Sequence, residues 1–150
     1  MKSPVLVSAC LLGVPCRYDG KTKTDPNVAK AAFARGWIPV CPEQLGGLPT
    51  PRAPSERKHG RVVSKEGDDV TEAFEQGAEA VCLLAEGYGA RYACLKERSP
   101  SCGRGVIYDG TFTGTRVSGD GVTVERLKRL GVRVFGESEI DALIGELDNA

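Results

Sequence analysis

The sequence predicts an α/β protein: a mostly parallel sheet flanked by helices, Rossmann-like and three-layered, with one small β-hairpin. Two observations predict it. Short β-prone runs alternate with helical segments along the chain, the pattern that builds parallel sheets with helices on both faces. The chain also has 150 residues, 41% of them hydrophobic, which is enough for one packed core. No internal repeat, low-complexity tract or linker interrupts it, so residues 1–150 read as a single domain.

Val5-Leu6-Val7-Ser8 is a first strand. Asp25-Pro26 reads as an N-cap followed by proline at the first helical position. The helix then runs to about Arg35, where Gly36 suits the C′ position. Trp37-Ile38-Pro39-Val40 is a second strand, and its proline places it at a sheet edge or a strand end. Residues 42–60 are rich in Pro and Gly and read as loop, followed by an isolated strand at Arg61-Val62-Val63-Ser64.

Asp69-Val70-Thr71-Glu72 has the form of a capping box. The helix it opens carries Val70, Phe74, Val81 and Leu84 on one face and ends near Gly87 or Gly89. Tyr92 to Lys96 is a third strand. Val106-Ile107-Tyr108 and Thr111-Phe112-Thr113 flank Asp109-Gly110, a strong hairpin signal. A helix from about Val122 to Leu130 stops at Gly131, Val132 to Phe135 is a fourth strand, and Ser138-Glu139-Ile140-Asp141 caps a last helix to about Leu147.

Composition removes several function classes. Twenty Lys and Arg balance twenty Asp and Glu, which argues against a generic nucleic-acid binder or a polybasic membrane protein. A local basic patch stays open. No apolar run approaches the roughly 18 residues of a membrane helix. Met1-Lys2-Ser3-Pro4 leads into only Val5-Leu6-Val7 before chemistry-bearing residues, so the start reads as a strand rather than a signal peptide. A cytoplasmic protein is expected.

Six cysteines are too few for a disulfide scaffold, whose share exceeds roughly 8%. In a reducing compartment they are buried hydrophobes, metal ligands or reactive thiols. His59 is the single histidine, so a metal site would be built mainly from sulfur. Placement is the informative feature. Cys10 follows the first strand, Cys41 the second, and Cys102 lies in the loop after the third. Ligand sites of open parallel sheets form outside the carboxyl ends of the strands, so these three residues converge at one edge. Three thiolates can hold zinc with an open position, or three irons of a 4Fe–4S cluster with the fourth open. The lack of histidine favours the cluster. A zinc-thiolate hydrolase and a non-catalytic sulfur or iron–sulfur carrier remain the alternatives.

Around these cysteines stand further candidates. Glu43, two residues after Cys41, is placed to act as a general base, or else is a solvated loop acid. Ser99 and Ser101 flank Pro100 beside Cys102 and can donate hydrogen bonds, or simply form the turn. Arg17-Tyr18 and Arg52 offer cations and a ring for a substrate, or surface turns. Cys16 is open between ligand, resolving thiol and packing residue. Cys82 in a helix and Cys94 in a strand read as packing, and His59 as an exposed loop residue. Gly103-Arg104-Gly105 and Gly119-Asp120-Gly121 match no phosphate-loop pattern.

The blocks Ser8-Ala9-Cys10-Leu11-Leu12-Gly13, Cys16-Arg17-Tyr18-Asp19-Gly20, Cys41-Pro42-Glu43, Gly46-Gly47-Leu48, Pro51-Arg52 and Ser99-Pro100-Ser101-Cys102-Gly103 occur in this order. So ordered, they resemble a bacterial family, long described as a domain of unknown function, that includes the thiouracil desulfurases. Tyr108-Asp109-Gly110 and residues 119–131 share the likeness, which covers nearly the whole chain. The resemblance implies a single iron–sulfur-binding domain that takes a small thiolated nucleobase as its partner molecule. It implies a 4Fe–4S cluster held by Cys10, Cys41 and Cys102 with one iron free of protein. It further implies cleavage of the C=S bond of a thiolated pyrimidine, leaving a carbonyl and releasing sulfide. Glu43 and one serine of the pair Ser99 and Ser101 are the implied catalytic partners.

Overall fold

The computed structural model describes residues 3–149. Met1 and Lys2, read above as the approach to the first strand, lie outside them. Four parallel strands form the central sheet: β1 (Val5–Ser8), β2 (Ile38–Val40), β5 (Tyr92–Leu95) and β8 (Arg133–Gly136), in the order β2-β1-β5-β8. The register sets Val7 beside Pro39 on one side of β1 and beside Cys94 on the other. Pro39 lacks an N–H to donate, and it lies exposed on β2 at the sheet's edge, as its chemistry demands.

Helices cover both faces. On one face α1 (Pro26–Arg35) and α5 (Ile140–Asn149) bring Val28, Ala31, Ala32, Ile140 and Leu143 against Val5 and Val7. On the other, α3 (Thr71–Tyr88) and α4 (Val122–Arg129) bring Val81, Ala85, Val124 and Leu127 against Leu6, Ala93 and Leu95. Alternate residues of each strand thus face opposite layers, as the two-residue pleat requires. The N-terminus of α1 is held as its sequence indicates: Asp25 Oδ1 accepts the N–H groups of Asn27 and Val28 at 3.1 and 3.2 Å, and Gly36 ends the helix at φ 69°.

Three expectations change. The stretch 42–60 is not wholly loop. It holds a short helix α2 (Pro42–Leu45) and a strand β3 (Ser55–Lys58) that pairs antiparallel with β4 (Arg61–Ser64). Ser55-Glu56-Arg57-Lys58 is too polar to announce a strand, and backbone pairing with β4 makes it one. The second hairpin is longer than the Asp-Gly signal implies. β6 (Val106–Tyr108) pairs with β7 (Arg116–Ser118), not with Thr111-Phe112-Thr113, and residues 109–115 form the turn. At α3, Val70 holds the cap position, and Asp69 accepts the Thr71 N–H at 2.9 Å in place of a full capping box.

Candidate active site

The site lies beyond the carboxyl ends of β1, β2 and β5, where the chain turns from one side of β1 to the other. A cavity of about 550 Å³ opens there, lined by Cys10, Cys16, Cys41 and Cys102 together with Glu43, Ser99, Arg17, Tyr18 and Arg52. Cys10 sits in a 3₁₀ turn (Ala9–Leu12) that continues β1 directly. Cys41 ends the β2 segment and begins α2. Cys102 lies in a tight turn after β5, in which Ser99 Oγ accepts the N–H groups of Ser101 and Cys102, both at 3.1 Å. That turn is tied to α4, whose first N–H groups donate to Pro100 O and Ser101 O at 2.9 Å. Three cysteines far apart in sequence therefore share one cavity.

Cys16 joins them. Its sequence position leaves its role open, and the fold buries it at the same cavity. Its thiol is pushed up to about 11, first by its neighbour Cys10 and then by burial, with Cys41 pulling the other way. Cys16 and burial likewise raise Cys41. Burial pushes Cys102 up to about 12, against the hydroxyls of Ser8 and Ser101. Thiols raised in this way become ligating thiolates only when a cation compensates the charge.

Among the described residues no group of three or more His, Cys, Asp or Glu is gathered tightly enough to hold a single metal ion. A larger inorganic body lined by sulfur suits the donor set better: soft thiolates, no histidine, and a cavity with room for more than one atom.

The acids and cations take distinct positions. Burial raises Glu43, and Arg52 opposes the shift. Arg52, a candidate for substrate, directs four of its five side-chain N–H donors to the protein. Its Nε donates to Glu43 Oε1 at 3.0 Å, Nη1 to Pro49 O at 3.1 Å and Thr50 Oγ1 at 3.0 Å, and Nη2 to Cys16 O at 3.0 Å. Such a fork positions Glu43 and the Cys16 loop beside the cavity that Arg52 lines. Arg17 stacks over the Tyr18 ring at 5.4 Å and faces Asp19 at 3.7 Å. The two serines separate as well. Ser99 lines the cavity, whereas Ser101 is fully buried, its hydroxyl 2.8 Å from Thr123 Oγ1. Cys94 is buried inside β5 and Cys82 lies half-buried on α3, both away from the cavity.

Lys96, Glu56, Tyr108 and Phe112 also line the cavity, and the sequence did not single them out. Lys96 is held by Glu137 at 2.9 Å and by the Glu97 carbonyl at 3.0 Å. Its position just after β5, at a strand's carboxyl end, is the signal that could have found it. Tyr108 stands within the Tyr108-Asp109-Gly110 likeness, and no local signal marks Glu56 or Phe112.

The family model for 2-thiouracil desulfurase matches residues 5–139. The chain belongs to this family. It is 39% identical over 150 residues to the Bacillus subtilis (strain 168) protein YbbK, a match that covers 93% of this chain and 99% of YbbK. Among solved structures it matches the 4Fe–4S-dependent thiouracil desulfidase TudS with a TM-score of 0.95 and 46% identity, over 99% of this chain and all of that one. The parallel sheet and its covering helices are thus those of a desulfurase family member. No helix among the described residues is long and apolar enough to cross a membrane.

Proposed function

We propose that this family member is a non-redox desulfurase that hydrolyses the C=S bond of a thiolated pyrimidine, converting thiouracil and water into uracil and hydrogen sulfide. One observation carries the reading: Cys10, Cys41 and Cys102, each delivered by a different parallel strand, line one cavity with Glu43 and Ser99. These three residues are the ones that would hold a 4Fe–4S cluster. When bound, the cluster supplies a soft Lewis acid whose free iron suits a thiocarbonyl sulfur.

The rest is work for the chain's own side chains. Glu43 takes a proton from the attacking water and returns it to the departing sulfur, and the proton of the new hydroxyl follows by the same carboxylate as the carbonyl forms, so that hydrogen sulfide leaves. Burial favours its protonated form, and Arg52 opposes that shift. Ser99 offers a hydroxyl at the same cavity. Arg17 and Tyr18 line the same cavity, where the ring's polar substituents would rest. Balanced charge favours a small base over a nucleic acid. Residues 1–150 act as one iron–sulfur domain, and thiolate ligands suit a reducing cytoplasm.

Anaerobic reconstitution with iron and sulfide, followed by a thiouracil assay, tests the reading. The expected result is brown protein that removes the thiocarbonyl absorbance, with Cys10→Ala, Cys41→Ala and Cys102→Ala each losing both colour and turnover. Turnover without iron would overturn it. Colourless protein with bound zinc would favour a zinc-thiolate hydrolase. A cluster without turnover on any thioamide would indicate a carrier.

A further inference from the structure

Among the described non-glycine residues, three adopt positive φ: His59, Arg98 and Phe112. Phe112, at φ 58°, stands in the turn between β6 and β7. Left-handed backbone is unfavourable for a bulky side chain and persists only where the surroundings impose it. Here the surroundings are explicit. Glu56 Oε1, on β3, accepts both the Gly110 N–H at 2.9 Å and the Phe112 N–H at 3.2 Å. Gly110 presses so closely on β3 that a Cβ would lie 2.6 Å from Lys58 Cβ and 2.8 Å from Arg57 O. A chain of hydroxyl contacts from Asp109 through Thr111 and Thr113 to Thr115 stiffens the same turn, each step 2.6–2.8 Å.

The strained residue does not serve the interior. Phe112 belongs to none of the buried hydrophobic clusters. It is half-buried, and it lines the cavity that holds the thiols and Glu43. Tyr18 lines that cavity too, but the Arg17 guanidinium already lies over its ring. A phenyl ring imposed on a thiol-lined cavity offers its face to a ligand there, and a planar conjugated heterocycle is the partner that face fits.

We propose that Phe112 is the aromatic wall on which the pyrimidine ring of the substrate stacks, and that Glu56 is its positioning residue. The inference rests on the desulfurase reading for the identity of the ring. It adds a determinant of specificity: the site selects a flat ring as well as a soft sulfur.

Binding of uracil, which has no sulfur to cleave, tests the wall separately from the chemistry. Titration calorimetry on the cluster-loaded enzyme should give a Kd for uracil that rises about tenfold in Phe112→Ala. Phe112→Leu, which keeps apolar bulk without a π face, should weaken binding as well, and Phe112→Tyr should restore it. Dihydrouracil, puckered and unconjugated, should bind weakly and respond little to these changes. For thiouracil the loss should fall on KM far more than on kcat, with cluster absorbance retained. Glu56→Ala should shift KM in the same direction without loss of colour. The proposal is overturned if uracil fails to bind the wild-type protein, or if Phe112→Ala and Phe112→Leu bind it as wild type does. Uracil binding that depends on Phe112, in a protein that never consumes thiouracil, would leave the wall standing and remove the desulfurase reading.

Discussion

Arg52 donates its Nε to Glu43 Oε1 at 3.0 Å while its Nη2 reaches the Cys16 carbonyl at the same distance. One guanidinium thereby joins the carboxylate after β2 to the loop after β1. The arginine and glutamate side chains are 7% and 18% exposed, so the pair is shielded enough for its loss to matter. Removing one partner of a buried pair costs on the order of 3 kcal/mol because the other is left uncompensated. Arg52→Gln should lower the melting temperature and turnover together. Arg52→Lys, which keeps the charge and loses the fork, should restore stability in part and turnover little. Glu43→Gln should leave the brown colour intact and reduce kcat by about 10²–10⁴-fold, the span of general acid–base catalysis. Full activity in Glu43→Gln would contradict its role.

The helix that carries Glu43 is seated by two glycines. A Cβ on Gly77 of α3 would lie 1.9 Å from Pro42 O, and one on Gly46 would lie 2.0 Å from Ala73 O. Backbone contact this close leaves no room for any side chain. Gly77→Ala should therefore destabilise by about 1–3 kcal/mol, the usual cost of overpacking. Activity should fall with it, since α2 must shift. At Gly87 on the same helix, an added methyl group would meet nothing within 4 Å, so Gly87→Ala should stabilise by about 0.5–1 kcal/mol through helix propensity. Thermal melts of the two variants, moving in opposite directions, check the assignment.

The central architecture was readable because its signals are local. Asp25 before Pro26, Gly36 after Arg35 and the short apolar strands each report their own surroundings. Convergence of Cys10, Cys41 and Cys102 on one cavity followed from a topological rule rather than from spacing. What escaped the sequence depends on distant partners. Asp109-Gly110 looks like a two-residue hairpin turn, yet Glu56, more than fifty residues upstream, claims the N–H groups of Gly110 and Phe112 and makes the loop longer. Arg52 reads as a free cation until the Cys16 carbonyl and Glu43 are found around it. Ser99 and Ser101 look equivalent until Thr123 captures one of them.

That last contrast separates stability from chemistry. Ser101→Ala removes the partner of the buried Thr123 hydroxyl and should cost about 1–3 kcal/mol. Its hydroxyl also faces the Cys102 thiol, whose ionised form it favours. Ser101→Ala should therefore melt earlier and hold its cluster less firmly, while the protein that retains a cluster turns over near the wild-type rate. Ser99→Ala removes a hydroxyl that lines the cavity and accepts two backbone N–H groups of the Cys102 turn. Its turnover per bound cluster should fall, and Ser99→Thr should recover part of it. Iron content measured beside kcat distinguishes the two serines, and an equal loss of turnover per cluster in both would refute the distinction.

Strong acid should act at the start of α3. Asp69 is held down at about 2, from an ordinary value of 3.8, by the Thr71 hydroxyl and N–H and by Arg61. A carboxyl with a folded value below its unfolded one binds its proton more readily in the unfolded chain. Its contribution is present above about pH 4 and is lost as pH falls toward 2, so stability should decline through that window. Asp69 is solvent-exposed, so salt should reduce its Arg61 contribution. Asp69→Asn keeps an acceptor for the Thr71 N–H and removes the titration. Melting temperatures of wild type and Asp69→Asn should therefore converge as pH drops from about 4 to about 2 and separate above it. Parallel curves across that range would show that Asp69 contributes nothing to acid sensitivity.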